Sequence, residues 1–201
     1  MQEIRFHGRG GQGTVLASIA MAKAFFAAGY WVQTFPVFGS ERRGAPVEAY
    51  LRLDASRILL RSNVYEPDHV IVQDARLLGT VDVLKGLRRG GWVLLNASAP
   101  PDDLKRFEPY RLALVDASGI ARELGLGSRN QPITNTAMMG AFARVYGAPP
   151  LDALVDAIEA EMPAKRAENA EAARRAYEAV AFSGPLGASE PSGAALGRSA
   201  I

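Results

Sequence analysis

The sequence predicts an α/β protein of three layers, α/β/α, in which a Rossmann-like, mostly parallel sheet carries an antiparallel hairpin. Two observations lead to this fold class. Short apolar runs, typical of buried strands, alternate with helix-like stretches as far as about position 125. From position 132 onward the pattern is mainly helical, which supplies segments that pack on the sheet or on a partner.

The N-terminal unit reads as a strand, a glycine turn and a helix. A short strand is predicted at 4–6 and is followed by Gly8-Arg9-Gly10-Gly11-Gln12-Gly13. Residues 14–28, rich in Ala, Leu, Ile and Met, predict a helix that ends at Gly29. Residues 31–35 predict a second strand, and 36–46 a long loop with glycines and arginines. Loops of this kind commonly carry function.

The middle of the chain predicts further strands. Residues 47–53 alternate apolar with polar side chains, and 54–56 separate them from the apolar run 57–61, which predicts an antiparallel hairpin. The runs 69–73 and 91–96 are almost continuously apolar and flank a helix predicted over about 77–87. Such runs suit parallel strands that are buried on both faces.

The last elements complete a single domain over 1–182. We expect a strand at 112–115 and four helices. These helices are predicted at 117–124, about 133–146, about 151–161 and about 164–181. Residues 183–201, rich in Gly, Ser, Ala and Pro, predict a C-terminal tail without a fixed structure of its own.

Composition excludes several classes of function. The chain has 201 residues and no cysteine, so it cannot supply thiolates to zinc or to an iron–sulfur cluster. Its two histidines, His7 and His69, lie in separate segments, which disfavours a metal site. The net charge of +2 is spread along the chain, so no nucleic-acid partner is expected. The sequence shows neither a signal-peptide pattern nor an apolar run of about 20 residues, so a cytoplasmic protein without a membrane partner is expected.

The glycine turn could bind an anion. Gly8, Gly10 and Gly13 have the G-x-G-x-x-G spacing between a strand and a helix, where helix N-terminal amides attract phosphate. However, residues 32–35 lack the acidic side chain that holds a ribose, which disfavours an NAD site, and no Gly-Lys-Ser/Thr follows the glycines. The alternative interpretation, that these glycines only form a tight structural turn, is not excluded. The polar residues Arg9 and Gln12 favour the contact.

Two further groups of residues are candidates for binding. The loop displays Glu41, Arg42 and Arg43 next to Gly44, and arginine forks suit carboxylates or phosphates; the alternative is a solvated loop. Lys165 and Asn169 lie one helical turn apart. They either bind a shared partner or are merely exposed neighbours on the helix. No side chain stands out as a catalytic residue.

The ordered set of motifs resembles the gamma subunit of pyruvate and 2-oxoisovalerate ferredoxin oxidoreductases. The set contains the glycine turn, the segment Phe38-Gly39-Ser40-Glu41-Arg42-Arg43-Gly44-Ala45-Pro46-Val47, and Tyr65-Glu66-Pro67-Asp68 before a strand. The similarity extends through Asn135, Met139-Gly140-Ala141, Lys165 and Asn169, to about Phe182. The combination is specific, whereas its glycine element alone is not.

The resemblance implies a non-autonomous subunit of an oxidoreductase. Such enzymes consist of alpha, beta, gamma and delta chains or their fusions, and they convert a 2-oxoacid and coenzyme A to acyl-coenzyme A and CO2 while reducing ferredoxin. Thiamine diphosphate with Mg2+ and the iron–sulfur clusters would then lie on partner chains. The gamma chain would contribute residues that contact coenzyme A, a phosphate or a partner. These are Gly8, Arg9, Gly10, Gly11, Gln12, Gly13, Glu41, Arg42, Arg43, Gly44, Asn135, Lys165 and Asn169.

A second interpretation rests on the glycine spacing alone. The chain would then be a stand-alone nucleotide- or coenzyme A-binding module. Measurable ligand binding by the isolated chain would favour it. A purely structural assembly subunit is a close relative of the first interpretation.

Overall fold

A computed structural model describes residues 1–37 and 44–183 of the chain. Its strands are β1 (Gln2–Arg9), β2 (Trp31–Val37), β3 (Pro46–Asp54), β4 (His69–Val72), β5 (Trp92–Asn96), β6 (Arg111–Val115) and β7 (Ala181–Ser183). Its α-helices are α1 (Thr14–Ala27), α2 (Ala117–Glu123), α3 (Asn135–Tyr146), α4 (Leu151–Glu161) and α5 (Arg166–Ala179).

All strands of the described residues join one sheet, in the order β2-β3-β1-β4-β5-β6-β7. Strands β1, β4, β5 and β6 run parallel, while β3 pairs antiparallel with both β1 and β2, and β7 pairs antiparallel with β6. The predicted fold class, a three-layer α/β/α fold around a largely parallel sheet, is confirmed. The antiparallel hairpin pairs β3 with β2 instead of with the strand predicted over 57–61.

The helices cover one face of the sheet. Along β1, Ile4 and Phe6 point into the large core beneath the helices, while Arg5 and His7 alternate to the opposite face. Helix α1 packs on β1, β2 and β3, and α3 packs on β5 and β6. Helices α4 and α5 complete this layer against α1 and α3.

The opposite face is covered by turns instead of α-helices. Short 3-10 helices at Ala75–Gly79 and Leu104–Phe107 pack Leu77 and Phe107 against valines and leucines of β4, β5 and β6. This cover reaches β1, where Nη2 of Arg5 donates to the carbonyl oxygens of Val83 and Lys85. The third layer is therefore thin and covers only part of the sheet.

The helix predicted over 77–87 is wrong. Gly86 adopts φ +72, outside the helical region, and a Cβ there would lie 2.1 Å from the carbonyl oxygen of Tyr65. Asp82 accepts a hydrogen bond from the backbone N–H of Leu84, which favours a turn. The apolar side chains still face the core, so the pattern located the buried residues but not the backbone.

The strand predicted over 57–61 is also wrong. Strand β3 already pairs with β1 on one edge and with β2 on the other, so no edge remains for the chain that follows it. Residues 57–61 have no helix, strand or turn assignment. They lead to Ser62, whose carbonyl oxygen accepts a hydrogen bond from Arg52 Nη2 at 2.7 Å.

The C-terminal helices match their predictions except at the last boundary. The helix predicted over 164–181 ends at Ala179, and the next residues form the edge strand β7. Within this layer α3 and α5 approach closely, since a Cβ on Gly140 would lie 2.0 Å from the Ala173 carbonyl oxygen. The predicted tail lies outside the described residues apart from Ser183. No helix among the described residues is long and apolar enough to cross a bilayer.

Candidate functional site

Polar residues gather where the parallel strands end. Arg9 ends β1, Gln73 and Asp74 follow β4, and Asn96 ends β5. The carboxyl ends of parallel strands share one edge of the sheet, which is where open α/β sheets place their ligands. These residues and the glycine turn therefore form the floor of a candidate site.

Steric contacts explain two of the glycines in the turn. A Cβ on Gly8 would lie 2.0 Å from Oγ1 of Thr14 and 2.5 Å from Oε1 of Gln73, so the strand can approach the start of α1 only without a side chain. Gly13 adopts φ +74 at the N-terminus of α1, and a Cβ there would lie 2.5 Å from Nδ2 of Asn135. The turn is tightly packed at both ends.

The middle of the turn is held against the end of the long loop. The backbone N–H of Gly10 donates to the carbonyl oxygen of Ala45 at 2.9 Å, and that of Gly44 donates back to Gly10 at 3.3 Å. Arg9 Nη1 donates to the Gly44 carbonyl oxygen at 3.1 Å, while the Arg9 N–H donates to Oε1 of Gln12 at 2.8 Å. Gly44 is thus brought to the turn. Glu41, Arg42 and Arg43 lie outside the described residues.

A cleft of about 330 Å³ opens beside the turn, and we call it the arginine cleft. Four arginines line it, together with a single carboxylate among its described lining residues. The charged lining residues are Arg9, Arg76, Arg122, Arg129 and Asp74. Such an excess of guanidinium groups around a concave surface suits an anionic ligand.

Asp74 organises two of the arginines. Its Oδ2 accepts from Arg9 Nε at 3.0 Å and from Arg76 Nη2 at 2.7 Å. Burial by itself raises the pKa of the Asp74 carboxyl, but the hydrogen bonds from Arg76 and the charges of both arginines outweigh it and lower the pKa overall. The guanidinium groups of Arg122 and Arg129 make no hydrogen bond or ion pair with the described residues, so their charge is available to a ligand.

A buried chain of polar side chains supports the arginine cleft. Thr14 Oγ1 donates to Oε1 of Gln73 at 2.6 Å, and Nδ2 of Asn96 donates to the Gln73 carbonyl oxygen at 2.8 Å. Asn96 also exchanges hydrogen bonds with Ser118 at the start of α2. Nε2 of Gln73 is buried without a partner in the described residues. The chain of hydrogen bonds fixes the relative positions of α1, the end of β4, β5 and α2.

A second cleft, of about 230 Å³, lies on the other side of the glycine turn, and we call it the lysine cleft. It brings together five of the residues predicted from the sequence, namely Gly11, Gly13, Asn135, Lys165 and Asn169. Apolar side chains, including Leu16, Ile133 and Met162, form its walls. No side chain caps the N-terminus of α1, so the amides of the first helical turn remain available for an anion.

Lys165 and Asn169 differ in their roles. Lys165 is exposed and holds φ +51, a left-handed conformation unfavourable for a side chain other than glycine, while its Nζ donates to the Gly125 carbonyl oxygen at 2.6 Å. Asn169 is buried: its Nδ2 donates to the carbonyl oxygens of Ala164 and Lys165, and its Oδ1 accepts from Thr136. Asn169 thereby holds the strained backbone of Lys165 in place.

The sequence did not indicate four residues of the candidate site, namely Asp74, Arg76, Arg122 and Arg129. Asp74 could have been found, because it follows a buried strand directly, at the edge where ligands bind. No sequence feature marks Arg122 or Arg129 as a site residue, since exposed arginines are common. Only the fold brings these two to the cleft. Asn135 was predicted, and its Nδ2 lies 3.4 Å from the Gly13 carbonyl oxygen.

Comparisons with known proteins agree on one family. Residues 3–179 match the family model described as pyruvate ferredoxin/flavodoxin oxidoreductase. The chain is 49% identical over 183 residues to the "Pyruvate/ketoisovalerate oxidoreductases common subunit gamma" of Thermococcus kodakarensis, covering 88% of this chain and 96% of the relative. It is 48% identical to "Pyruvate synthase subunit PorC" of Methanothermobacter marburgensis, covering 92% of this chain and all of the relative.

Solved structures show the same relationship. The crystal structure of pyruvate oxidoreductase subunit PORC from Thermotoga maritima superposes with a TM-score of 0.73 at 35% identity, covering 90% of this chain and 98% of that one. The gamma subunit of a keto/oxoacid ferredoxin oxidoreductase from Geobacter sulfurreducens, at 22% identity and a TM-score of 0.65, shares the fold.

Proposed function

The chain belongs to the pyruvate ferredoxin/flavodoxin oxidoreductase family as the gamma subunit of a pyruvate or 2-oxoacid ferredoxin oxidoreductase, and we propose that it supplies that enzyme's coenzyme A-facing surface. The observation that carries this proposal is the arginine cleft beside the glycine turn. The reaction is 2-oxoacid, coenzyme A and oxidised ferredoxin to acyl-coenzyme A, CO2 and reduced ferredoxin.

The redox and thiamine chemistry belongs to partner chains in this proposal. The chain has no cysteine to ligate an iron–sulfur cluster. The described residues contain no group of three or more His, Cys, Asp or Glu side chains that could hold a metal ion. The partners are other subunits of the enzyme, which we propose to be of alpha, beta and delta type.

The arginine cleft suits the phosphate end of coenzyme A. The ligand carries several phosphate charges, and Arg122 and Arg129 are exposed at the cleft without a carboxylate partner among the described residues. Asp74 holds Arg9 and Arg76 in fixed positions, which lowers the entropic cost of ordering these side chains on binding. Gly10, Gly11 and Gly44 carry no side chain that would obstruct a phosphate at the cleft. The proposal includes Glu41, Arg42 and Arg43 because they directly precede Gly44 in the chain.

The lysine cleft suits the remaining part of the ligand or a neighbouring chain. Its apolar walls match an uncharged arm, while Lys165 and the uncapped start of α1 offer positive charge at its rim. Both clefts include Gly11, so a single extended ligand can contact them from either side of the turn. In this arrangement the chain orients coenzyme A, and the reacting groups come from other chains.

The names of the relatives suggest the substrate class. They are pyruvate synthase subunits and a subunit common to pyruvate and ketoisovalerate oxidoreductases. We therefore propose pyruvate or a branched-chain 2-oxoacid. The oxoacid itself would be recognised mainly by partner chains.

The test uses the assembled enzyme with the double variant Arg122→Ala/Arg129→Ala. We expect the KM for coenzyme A to rise at least about tenfold while kcat changes little, because each lost contact to a charged phosphate costs about 1.5–3 kcal/mol. Arg89→Ala is the matched control, since Arg89 is exposed at the opposite edge of the sheet, before β5. An unchanged KM in the double variant would refute the arginine cleft as the coenzyme A site.

The stand-alone binding module remains the alternative. Calorimetric titration of the isolated chain with coenzyme A and with adenine nucleotides distinguishes the stand-alone module from the subunit. We expect weak or no binding, because a subunit surface is completed by its partners. Micromolar binding by the isolated chain would favour the independent module.

A further inference from the structure

One half of a sheet face lacks the layer of turns that covers the rest, and on it Arg52 and Tyr50 are buried whereas Val37 is 38% exposed. The thin layer of turns ends at β1, whereas β3 and β2 continue the sheet beyond it. The strand register places Gln33, Phe35 and Val37 of β2 on this face, opposite Arg52, Tyr50 and Glu48 of β3. We call these six residues the open half-face.

The open half-face is ordered by its own contacts. Phe35 and Tyr50 stack with ring centroids 5.3 Å apart, and the Arg52 guanidinium lies 5.3 Å from the centroid of Phe35. Tyr50 donates to Glu48 at 2.6 Å, and the fully buried Arg52 donates to Glu3 at 2.7 Å. The polar groups of Arg52, Tyr50 and Glu48 already have partners, so another protein can cover them without leaving them unpaired.

A chain segment beside the half-face exposes large apolar side chains. Arg52 Nη2 donates to the Ser62 carbonyl oxygen, which ties residues 57–65 to this side of the sheet. Within the segment Leu59, Leu60 and Tyr65 are 76%, 44% and 72% exposed. The apolar run that predicts a strand here leaves Leu59 and Leu60 without a core to pack on among the described residues.

We propose that the open half-face and residues 57–65 form a docking surface for another subunit of the same oxidoreductase, one that presents an apolar patch with an acidic rim. The proposal rests on the proposed function, in which the chain works only within an assembly. An acidic rim is inferred because Arg57 and Arg61, on either side of the apolar residues, are exposed and have no ion-pair partner among the described residues.

The charges and the sheet edge argue against a second copy of this chain as the occupant. A second copy would present the same uncompensated arginines, which gives no charge complementarity. Pairing of two β2 edges is also disfavoured, because Pro36 removes a backbone donor from this strand. A different chain that supplies a third-layer cover satisfies both constraints.

The experiment co-expresses tagged full-length chain with the other subunits and measures the fraction recovered as complex. Leu59→Asp and the double variant Arg57→Glu/Arg61→Glu are expected to weaken assembly at least about tenfold, because each places an unfavourable charge in the interface. Phe26→Asp is the matched control, since Phe26 is 64% exposed on helix α1, on the other side of the sheet. It should assemble normally.

The outcomes separate this inference from the proposed function. Thermal unfolding of each isolated variant establishes that the chain still folds, so lost assembly with an unchanged Tm supports the docking surface even if coenzyme A affinity does not depend on Arg122 and Arg129. Normal assembly of Leu59→Asp and of the double arginine variant overturns it. A self-associated isolated chain that Leu59→Asp dissociates, while the complex persists, also overturns it.

Discussion

Arg9 in the glycine turn combines a structural role with a proposed binding role. Arg9 fixes the turn through Gly44 and at the same time pairs with Asp74 at the floor of the arginine cleft. Sequence analysis selected Arg9 and Gln12 as polar residues in a glycine turn, and both line the cleft. The sequence alone could not indicate Asp74 as a partner, since Arg9 and Asp74 are 65 positions apart and only the pairing of β1 with β4 brings them together.

The buried His7 and the partly buried His69 predict a pH dependence of stability. Burial, aided by the charge of Arg5, lowers the pKa of His7 to about 3, and burial lowers that of His69 to about 4 despite the nearby Asp68. Unfolded histidine titrates near pH 6.5, so below that pH the unfolded chain binds more protons than the folded one. Stability is therefore complete above pH 6.5 and is lost as the pH falls toward 4.

The measurement is urea unfolding of the isolated chain at pH 7 and pH 5. We expect the free energy of unfolding to decrease by up to about 1.4 kcal/mol per pH unit for each histidine. The double variant His7→Gln/His69→Gln should show a smaller change between the two pH values. Equal pH dependence in both proteins would contradict the assignment.

Replacement of Lys165 is expected to affect folding stability and coenzyme A binding in opposite directions. Replacing it with glycine relieves the left-handed conformation at φ +51, worth about 1 kcal/mol, but removes the charge at the lysine cleft. The Lys165→Gly chain should unfold at an equal or higher temperature, while the assembled enzyme shows a higher KM for coenzyme A. A lower Tm with unchanged KM would instead indicate that Lys165 stabilises the fold through its contact with Gly125.

At the scale of elements, the apolar pattern predicted the α-helices well. All five helices, α1 to α5, begin and end within two residues of their predicted bounds, because their apolar faces pack on the sheet or on one another. The predictions of a helix over 77–87 and of a strand over 57–61 were wrong for a different reason. The backbone of these residues is decided by Gly86 and by the occupied edges of β3, which depend on contacts distant in the sequence.

The crossing of α3 and α5 depends on Gly140. A side chain there would meet the backbone of Ala173, so the helices would have to separate. Gly140→Ala should lower the free energy of unfolding by about 1–3 kcal/mol, as measured by denaturant titration. Gly79→Ala is the control, because nothing lies within 4 Å of a Cβ there, and it should change stability by less than about 0.5 kcal/mol. Equal effects of the two substitutions would contradict the close packing.

At the scale of the whole molecule, the sheet order explains why the candidate site lies beside β1. Strand β1 lies between the antiparallel β3 and the parallel β4, so its carboxyl end meets both the end of the long loop and the residues that follow β4. The sequence motifs predicted the glycine turn, but not that a cleft opens on each side of it. The arrangement places the proposed ligand contacts at one edge of the sheet, and the proposed docking surface on a face of the sheet and the segment beside it.

Reconstitution of the enzyme with and without this chain tests the central claim most directly. The partner subunits are purified alone, and 2-oxoacid- and coenzyme A-dependent reduction of a low-potential dye is measured before and after the chain is added. We predict little activity without it and recovery on addition in stoichiometric amount. Full activity of the partner subunits alone would contradict its role as a necessary, coenzyme A-facing subunit.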